Sequence, residues 1–260
     1  MAFLEIHFHS KALNKQVTAN VILPEVNKKQ PGCGKPEGTY KTLYLLHGKT
    51  GDYSLWMRRT NIERYADQYG IAVVMPDGAN SWYTDTCYGA NYFTFMTEEL
   101  PTVCRSYFSG MSDKREDNMV AGLSMGGYGA LKIALNCPDK YFACASFSGA
   151  VEIMRKGFEV DLNEWRSVFD FHLQSPDELE GGPHDLYALA RKKKAEGVNF
   201  PQFYIWCGTE DRWVTKNRIL HEVLEEEGIA HTYAESEGTH TWPYWDEQIQ
   251  VALKLFLGEK

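Results

Sequence analysis

The sequence predicts a single α/β domain in which helices cover both faces of a mostly parallel central sheet. Two observations carry this prediction. The chain has 260 residues and is 43% hydrophobic, which is enough to build one sizeable core. Short apolar runs alternate with longer amphipathic stretches, as strands alternate with helices in such folds. We find no internal repeat and no low-complexity tract, so we treat residues 1–260 as one domain.

The first elements depart from the parallel arrangement. Residues 3–10 and 16–23 read as two strands joined by a short turn around Asn14. So short a connection joins antiparallel neighbours. The Gly- and Pro-rich segment 27–38 follows and predicts a loop.

Strands and helices then alternate along the chain. Apolar runs typical of buried parallel strands lie at 42–46, 71–75, 119–121, 143–147 and 203–207. Amphipathic stretches typical of helices lie at 55–68, 95–107, 125–135 and 216–227. The last strand and the closing helix are predicted at 231–236 and 244–256. The polar stretch 151–199 is too long for a plain connection, and we interpret it as an inserted, partly helical cap over the site.

Composition and charge narrow the function classes. The net charge of −8 and the pI near 5.5 argue against nucleic-acid binding, because an acidic surface repels phosphates. No apolar stretch is long enough for a membrane span, and the first residues do not resemble a signal peptide. The six cysteines form no C-x-x-C pair. We therefore expect a cytoplasmic protein with free thiols.

A nucleophile motif lies in the middle of the chain, in the run Gly122-Leu123-Ser124-Met125-Gly126. The pattern alone is weak, but here a predicted strand precedes it and a predicted helix follows it. A serine at such a turn is lifted above the sheet edge and lies at a helix N-terminus, where amide groups favour developing negative charge. This setting predicts the α/β-hydrolase fold with Ser124 as nucleophile. An incidental serine in a Gly-rich turn is the alternative.

A serine hydroxyl needs a base, and the base needs an orienting acid. In this fold the acid and then the histidine follow the serine along the chain. His240 is the predicted base because it follows the last strand, whereas His221 lies within a predicted helix and His231 begins a strand. Asp211 is the predicted acid, since it follows strand 203–207, and Glu210 is the neighbouring alternative.

The oxyanion hole should use two backbone amides. Met125 follows the nucleophile and is the first predicted donor. Lys49, in the loop after strand 42–46, is the second. His47, Tyr83 and Trp242 are expected in the substrate pocket.

Two look-alike motifs fail. Gly48-Lys49-Thr50 resembles the end of a P-loop, but Leu43 occupies the position of its first glycine. His7 and His9 alternate on a strand without a ligand cluster to complete a metal site, so we predict no metal.

The chain resembles the esterase D group of α/β hydrolases over nearly its whole length. The motifs that carry the resemblance are Leu45-Leu46-His47-Gly48, Met75-Pro76-Asp77-Gly78 with Tyr83, Thr97-Glu98-Glu99-Leu100-Pro101, Gly122-Leu123-Ser124-Met125-Gly126-Gly127, Gly208-Thr209-Glu210-Asp211 and His240-Thr241-Trp242-Pro243-Tyr244-Trp245. The resemblance implies Ser124, Asp211 and His240 as a triad, without a cofactor. His47-Gly48-Lys49-Thr50-Gly51 differs from the Ser-Gly-Leu-Thr-Cys usual in the S-formylglutathione hydrolases of this group. The ending His240-Thr241-Trp242 is similar to the tributyrin and feruloyl esterase type, to which acetyl-xylan esterases are related.

These inferences together predict a serine carboxylesterase acting on short-chain acyl or carbohydrate-linked esters. A thioesterase acting on S-formylglutathione and an acyltransferase are the alternatives within the same chemistry. A binding module without catalysis is the alternative from another class. Small-molecule or carbohydrate esters are the expected partners, with no nucleic acid and no membrane, and the sequence leaves a homo-oligomer open.

Overall fold

The computed structural model describes residues 1–25, 38–154 and 157–259. Apart from Gly38, the predicted loop 27–38 is outside these described residues, as is Cys33. Within them, eight strands form one sheet in the order β1-β2-β4-β3-β5-β6-β7-β8. The strands are β1 (Ala2–Ser10), β2 (Lys15–Leu23), β3 (Thr42–Leu46), β4 (Ala72–Pro76), β5 (Asn118–Leu123), β6 (Ala143–Phe147), β7 (Gln202–Gly208) and β8 (His231–Ser236).

The sheet has the predicted mixture of strand directions. β1 pairs antiparallel with β2, and β2 pairs antiparallel with β4. From β4 to β8 every pairing is parallel. The carboxyl ends of these parallel strands therefore meet at one edge of the sheet, where such folds bind ligands. The fold is that of the α/β hydrolases, as the sequence predicts.

Helices cover both faces. Their bounds are α1 (Leu55–Arg59), α2 (Ile62–Tyr69), α3 (Tyr92–Thr94), α4 (Leu100–Tyr107), α5 (Met125–Asn136), α6 (Leu162–Val168), α7 (Leu186–Ala195), α8 (Val214–Glu226) and α9 (Trp242–Leu257). Trp56, Tyr65 and Ile249 from α1, α2 and α9 belong to the apolar core on one face. Tyr128 and Leu220 from α5 and α8 belong to the core on the other face. No helix of the described part of the chain is long and apolar enough to cross a membrane.

Two predicted helices are broken by contacts that are distant in sequence. The predicted helix 55–68 is interrupted at Thr60, whose backbone is extended, and the next amide, that of Asn61, donates to the carboxylate of Asp246 on α9 at 2.9 Å. The predicted helix 95–107 begins with a π-helical turn, Phe95–Glu99. Pro101 has no N–H to donate within the helix, and the Thr97 carbonyl accepts from the Lys140 ammonium instead, at 3.1 Å.

The stretch 151–199, predicted as a cap, contains α6, a short 3₁₀ turn (Pro176–Leu179) and α7. Its final helix, α7, packs against α5 and α8 within the helical layer. This position follows from topology, because the connection from β6 to its parallel neighbour β7 needs a crossover helix. The part that reaches the site is α6, through Glu164.

Candidate active site

Ser124 occupies a strained turn between β5 and α5. Its backbone has φ 54° and ψ −119°, a combination that costs a non-glycine residue free energy and is held in place by its surroundings. Two glycines allow the turn to form. A Cβ on Gly122 would lie 2.3 Å from the Gly126 carbonyl oxygen, and a Cβ on Gly126 would lie 2.5 Å from the Leu46 carbonyl oxygen. A side chain at either position would clash with the backbone, which explains why both positions of the motif are glycine.

The structure brings His240 and Asp211 to Ser124 in the order that the sequence predicts. His240 Nε2 is 3.0 Å from Ser124 Oγ, and His240 Nδ1 is 2.9 Å from Asp211 Oδ2. Asp211 follows β7, and His240 lies in the loop between β8 and α9. With Nδ1–H donating to the carboxylate, Nε2 is left as the acceptor for the serine hydroxyl.

The environment keeps Asp211 charged. Burial alone would raise the pKa of this carboxyl, whose side chain is fully enclosed. Hydrogen bonds from His240, from the Trp213 amide at 2.9 Å and from the Ser148 hydroxyl outweigh that effect, as does the positive charge of protonated His240. The net result is a pKa below the usual value for an aspartate. A carboxylate is therefore in place when His240 takes up a proton.

Glu210, the alternative acid, does not contact His240. Its carboxylate accepts from the Gly238 amide at 2.7 Å, and its own amide donates to the Gly238 carbonyl at 3.0 Å. These two bonds tie the loop after β7 to the loop that carries His240. Glu210 thus holds the two loops in register.

Two backbone amides near Ser124, those of Met125 and Lys49, make no hydrogen bond to a protein acceptor in the described residues. The Met125 N–H is the first amide of α5 and has no partner within the helix. Lys49 lies in the loop after β3, and a Cβ on its neighbour Gly48 would lie 3.3 Å from Ser124 Cβ. Within the described ranges neither amide donates to a protein oxygen. Both are available to a ligand oxygen at Ser124.

The loop around Lys49 is held by its own contacts. The Thr50 amide donates to Asn80 Oδ1 at 2.8 Å, and the Gly51 amide donates to the Gly48 carbonyl at 3.1 Å. The Lys49 ammonium reaches Glu164 on α6, with Nζ 2.5 Å from Oε2. This ion pair connects the loop after β3 to the inserted segment.

His47 and Tyr83, which the sequence predicts in the pocket lining, lie behind the loop instead. His47 is 1% exposed; its Nε2 accepts from the Gly78 amide at 2.8 Å, so its Nδ1 donates to the Gly48 carbonyl at 2.7 Å. The Tyr83 hydroxyl donates to the His47 carbonyl at 2.8 Å. The polar groups of both buried side chains thus form hydrogen bonds with backbone atoms, and these bonds shape the loop after β3. Trp242 does line the cavity at Ser124, as predicted.

Two cavities open at Ser124. The larger, about 420 Å³, is lined by His240 and by an apolar wall that contains Leu55, Trp242 and Trp245. The smaller, about 180 Å³, extends toward Met125, Trp82, Ala150 and Trp213. Lys49 and Arg212 border both cavities. The two cavities therefore share Ser124, Lys49 and Arg212 and differ in the rest of their lining.

Sequence reasoning missed several residues that shape this site. Ser148 after β6, Glu164 on α6 and the pocket role of Arg212 become visible only when distant elements are brought together. For Arg212, its position next to Asp211 is the one available signal. Ser148 and Glu164 carry no sequence signal.

Comparison with known proteins adds three findings. The family model Esterase, described as "Putative esterase", matches residues 10–256. An acetyl esterase of Caldicellulosiruptor saccharolyticus is 35% identical over 98% of this chain and 97% of its own length. Two solved structures from Staphylococcus aureus align over nearly all of both chains. A substrate-bound fluorophosphonate-binding serine hydrolase, FphF, has 31% identity and a TM-score of 0.88, with 99% of each chain covered. An S-formylglutathione hydrolase, FrmB, has 30% identity and a TM-score of 0.86, with 98% of each chain covered.

Proposed function

The chain belongs to the esterase family and is a carboxylic ester hydrolase, and from this premise we propose that it hydrolyses short-chain acyl esters with Ser124, His240 and Asp211 as its catalytic triad. The observation that carries the proposal is the unbroken hydrogen-bond path from the Ser124 hydroxyl through His240 to the buried carboxylate. The two unpaired amides of Met125 and Lys49 complete the machinery for acyl transfer.

The first step forms an acyl-enzyme. His240 Nε2 takes the proton of Ser124 as the oxygen attacks the acyl carbon, and the oxyanion accepts hydrogen bonds from the Met125 and Lys49 amides. Asp211 holds the Nδ1–H tautomer and stabilises the imidazolium. His240 then gives the proton to the leaving oxygen, which departs as an alcohol.

The second step uses the same groups in reverse. His240 removes a proton from water, the hydroxide attacks the acyl-enzyme, and the collapse of the tetrahedral intermediate returns the proton to Ser124. Because His240 must be neutral to act as base in both steps, activity is expected to fall in acid.

The two cavities suggest how a substrate is divided. The leaving group must lie within reach of His240 Nε2, and His240 lines the larger cavity, so that space is assigned to the alcohol. The acyl group then takes the smaller cavity between Trp82 and Trp213. Its volume of about 180 Å³ favours acetyl and butyryl groups over long chains. The tryptophan faces in the larger cavity are suited to a carbohydrate or another flat alcohol.

Replacing Ser124 by Ala tests the nucleophile. We expect kcat on p-nitrophenyl acetate to fall on the order of 10⁶-fold, the size seen when a serine protease loses its triad serine. The variant should also lose labelling by a fluorophosphonate probe. Ser146→Ala is the matched control, since Ser146 is a buried serine on β6 whose hydroxyl has no partner in the described part of the chain. Retained turnover or labelling in Ser124→Ala contradicts the assignment.

Acyl preference is measured on the unmodified enzyme. Acetyl, butyryl, octanoyl and feruloyl esters of one alcohol, together with acetylated xylan, cover the range. We expect kcat/KM to be highest for the acetyl and butyryl esters. An optimum at octanoyl would contradict the assignment of the smaller cavity to the acyl group.

A thioesterase is the second candidate, because of Arg212. This exposed side chain borders both cavities, and no ion pair occupies it in the described residues. A guanidinium at this position suits a leaving group that carries carboxylates, as glutathione does. S-formylglutathione and p-nitrophenyl acetate should be compared on one preparation, and a kcat/KM that favours the thioester would replace the ester assignment.

We also propose that the enzyme works in a reducing cytoplasm. The five cysteines that the structure describes are all free. Burial raises the pKa of Cys137 to about 11 and that of Cys104 to about 12, so these thiols stay protonated and unreactive. Free thiols of this kind are typical of reducing compartments.

A further inference from the structure

Three metal-ligating side chains meet between α8 and β8, at the opposite end of β8 from the loop that carries His240. His221 and Glu225 lie one turn apart on α8, and His231 begins β8. One ligand atom from each lies within 4.8 Å of the others. We propose that His221, Glu225 and His231 form a binding site for a divalent transition-metal ion of the zinc type.

His231 has the orientation of a metal ligand. Its Nδ1 lies 2.7 Å from the Ile229 carbonyl oxygen, so Nδ1 carries the proton and donates it. The lone pair of Nε2 then faces the cluster. Histidines that bind metals usually make this bond to a carbonyl or carboxylate with the nitrogen that does not ligate. The side chain is 1% exposed, which holds the ring in one position.

His221 is also held in place. Its ring stacks on Tyr233 of β8, with centroids 4.5 Å apart and planes 9° from parallel. Its Nδ1 lies 2.7 Å from His231 Nε2 and donates to it in the ion-free protein. Since these two nitrogens face each other, a cation between them would replace the shared proton. The His221 proton would then reside on Nε2.

Glu225 is the negatively charged and solvent-exposed member of the cluster. Its Oε1 is 3.9 Å from His231 Nε2, and its side chain is 66% exposed. The carboxylate can therefore approach the two imidazoles from the solvent side by rotation of its own side chain. Its negative charge attracts a cation to the histidine pair.

The ligand set and the distances select the ion. Two imidazoles and one carboxylate suit zinc and its neighbours, whereas calcium and magnesium require mostly oxygen ligands. Zn–N bonds of about 2.0–2.1 Å in a tetrahedron place two ligating nitrogens about 3.3 Å apart. The imidazole nitrogens must thus separate by roughly 0.6 Å, a small side-chain movement. Three protein ligands leave the fourth position to water.

A bound ion would link strand β8 at the edge of the sheet to helix α8. Within the described residues, β8 ends the strand order and pairs with β7. The ion would connect it to α8, which follows the loop of Asp211, while β8 leads to the loop of His240. Binding to the folded state alone raises Tm, and at a zinc concentration 100 times Kd we expect a rise of roughly 5–10 °C.

The test uses the full chain after treatment with a chelator. Addition of ZnCl₂ should raise Tm, and calorimetry should show one equivalent bound. Glu225→Gln and His221→Gln should weaken zinc binding by more than the roughly 10–100-fold that loss of an outer-sphere partner costs. His172→Gln, at an exposed histidine of the inserted segment, should bind as the wild type does. Ser124→Ala should respond to zinc as well, because the site is independent of the proposed catalysis.

Two results overturn the proposal. One is a wild-type Tm that ZnCl₂ leaves unchanged. The other is zinc affinity in Glu225→Gln and His221→Gln equal to that of the wild type. Glu225 is exposed on a helix surface, so its variant keeps the test available if His221→Gln does not fold. Addition of CoCl₂ in place of zinc should produce the visible absorption of a four-coordinate site in the wild type and not in the variants.

Discussion

Two histidines lie in polar clusters along helix α5 and face opposite charges. His240, in the loop before α9, reaches Ser124 at the start of α5 and lies between this serine and the carboxylate of Asp211. His184, before α7, has its Nδ1 3.1 Å from the ammonium of Lys132, which lies on α5 two turns after Ser124. Both rings thus make a bond of about the same length to a charged group. The two rings differ in the sign of the charge that they face.

The second cluster suppresses protonation. Burial and the charge of Lys132 lower the pKa of His184 to about 3, so its ring remains neutral and accepts from the ammonium. Burial also lowers the pKa of Lys132 to about 7. The hydroxyl of Thr84 accepts a second hydrogen bond from Lys132 at 2.7 Å. These groups join α5 to the loop after β4 and to the inserted segment.

The difference teaches that burial and the charge that a histidine faces together decide whether its ring can hold a proton. A proton added to His240 is met by a carboxylate, while a proton added to His184 is opposed by a neighbouring cation. Several histidines follow Ser124 in the sequence, and their local sequence does not reveal what each ring faces. Substitutions can change the charge that each histidine faces or the groups that support this charge.

Among changes to the charges that the two histidines face and to their support, the largest effect is expected from Asp211→Asn. The substitution keeps the size of the side chain but removes the charge, and the amide can donate to His240 Nδ1 and stabilise the wrong tautomer. We expect kcat to fall about 10⁴-fold, as in the corresponding change of a serine protease triad. Steady-state kinetics on p-nitrophenyl acetate measure the loss. Glu210→Gln is the control, and equal losses in the two variants would contradict the assignment of the acid.

An intermediate effect is expected from Lys132→Met, and it concerns stability. Because the folded-state pKa is lowered to about 7, the unfolded chain holds more protons than the folded one from about pH 7 up to the usual lysine pKa. The destabilisation by Lys132 is therefore complete below pH 7 and declines as pH rises through that window. The methionine variant should gain stability over the wild type at pH 6, and the gain should shrink on the order of 4 kcal/mol by pH 10.5.

Urea unfolding at the two pH values measures this change. Lys192→Met, at an exposed lysine of α7, is the control and should show no pH-dependent difference from the wild type. A gain in Lys132→Met that is equal at pH 6 and pH 10.5 would show that Lys132 is not desolvated in the folded state.

The contrast between the clusters also marks how far sequence reasoning reaches. The eight strands were predictable because each is a short apolar or alternating run whose burial depends on its own residues. The order of Ser124, Asp211 and His240 along the chain predicted which three residues the structure joins by hydrogen bonds. Local pattern was sufficient for the strands, whereas the choice of Asp211 over Glu210 also drew on the family resemblance.

Features that depend on distant contacts were not predictable. The helix predicted over 55–68 is broken where Asn61 meets Asp246, 185 residues away. His47 and Tyr83 carry a resemblance to family motifs, yet their polar groups bond to backbone atoms that only the folded chain brings near. Lys132 is an ordinary helix residue in the sequence, and its burial follows from the packing of the inserted segment.

The smallest effect is expected from Ser148→Ala, which tests the support behind Asp211. The Ser148 hydroxyl accepts from the Trp245 indole N–H at 3.0 Å and contributes to the lowered pKa of Asp211. The loss of a hydrogen bond to a charged group destabilises that charge, so we expect kcat to fall about tenfold. Ser148 does not line either cavity, so KM should stay close to the wild-type value. Ser146→Ala, at the buried serine two residues earlier, is the control for packing. Equal changes in both variants, or a change confined to KM, would mean that Ser148 supports the fold of this edge and not the charge of Asp211.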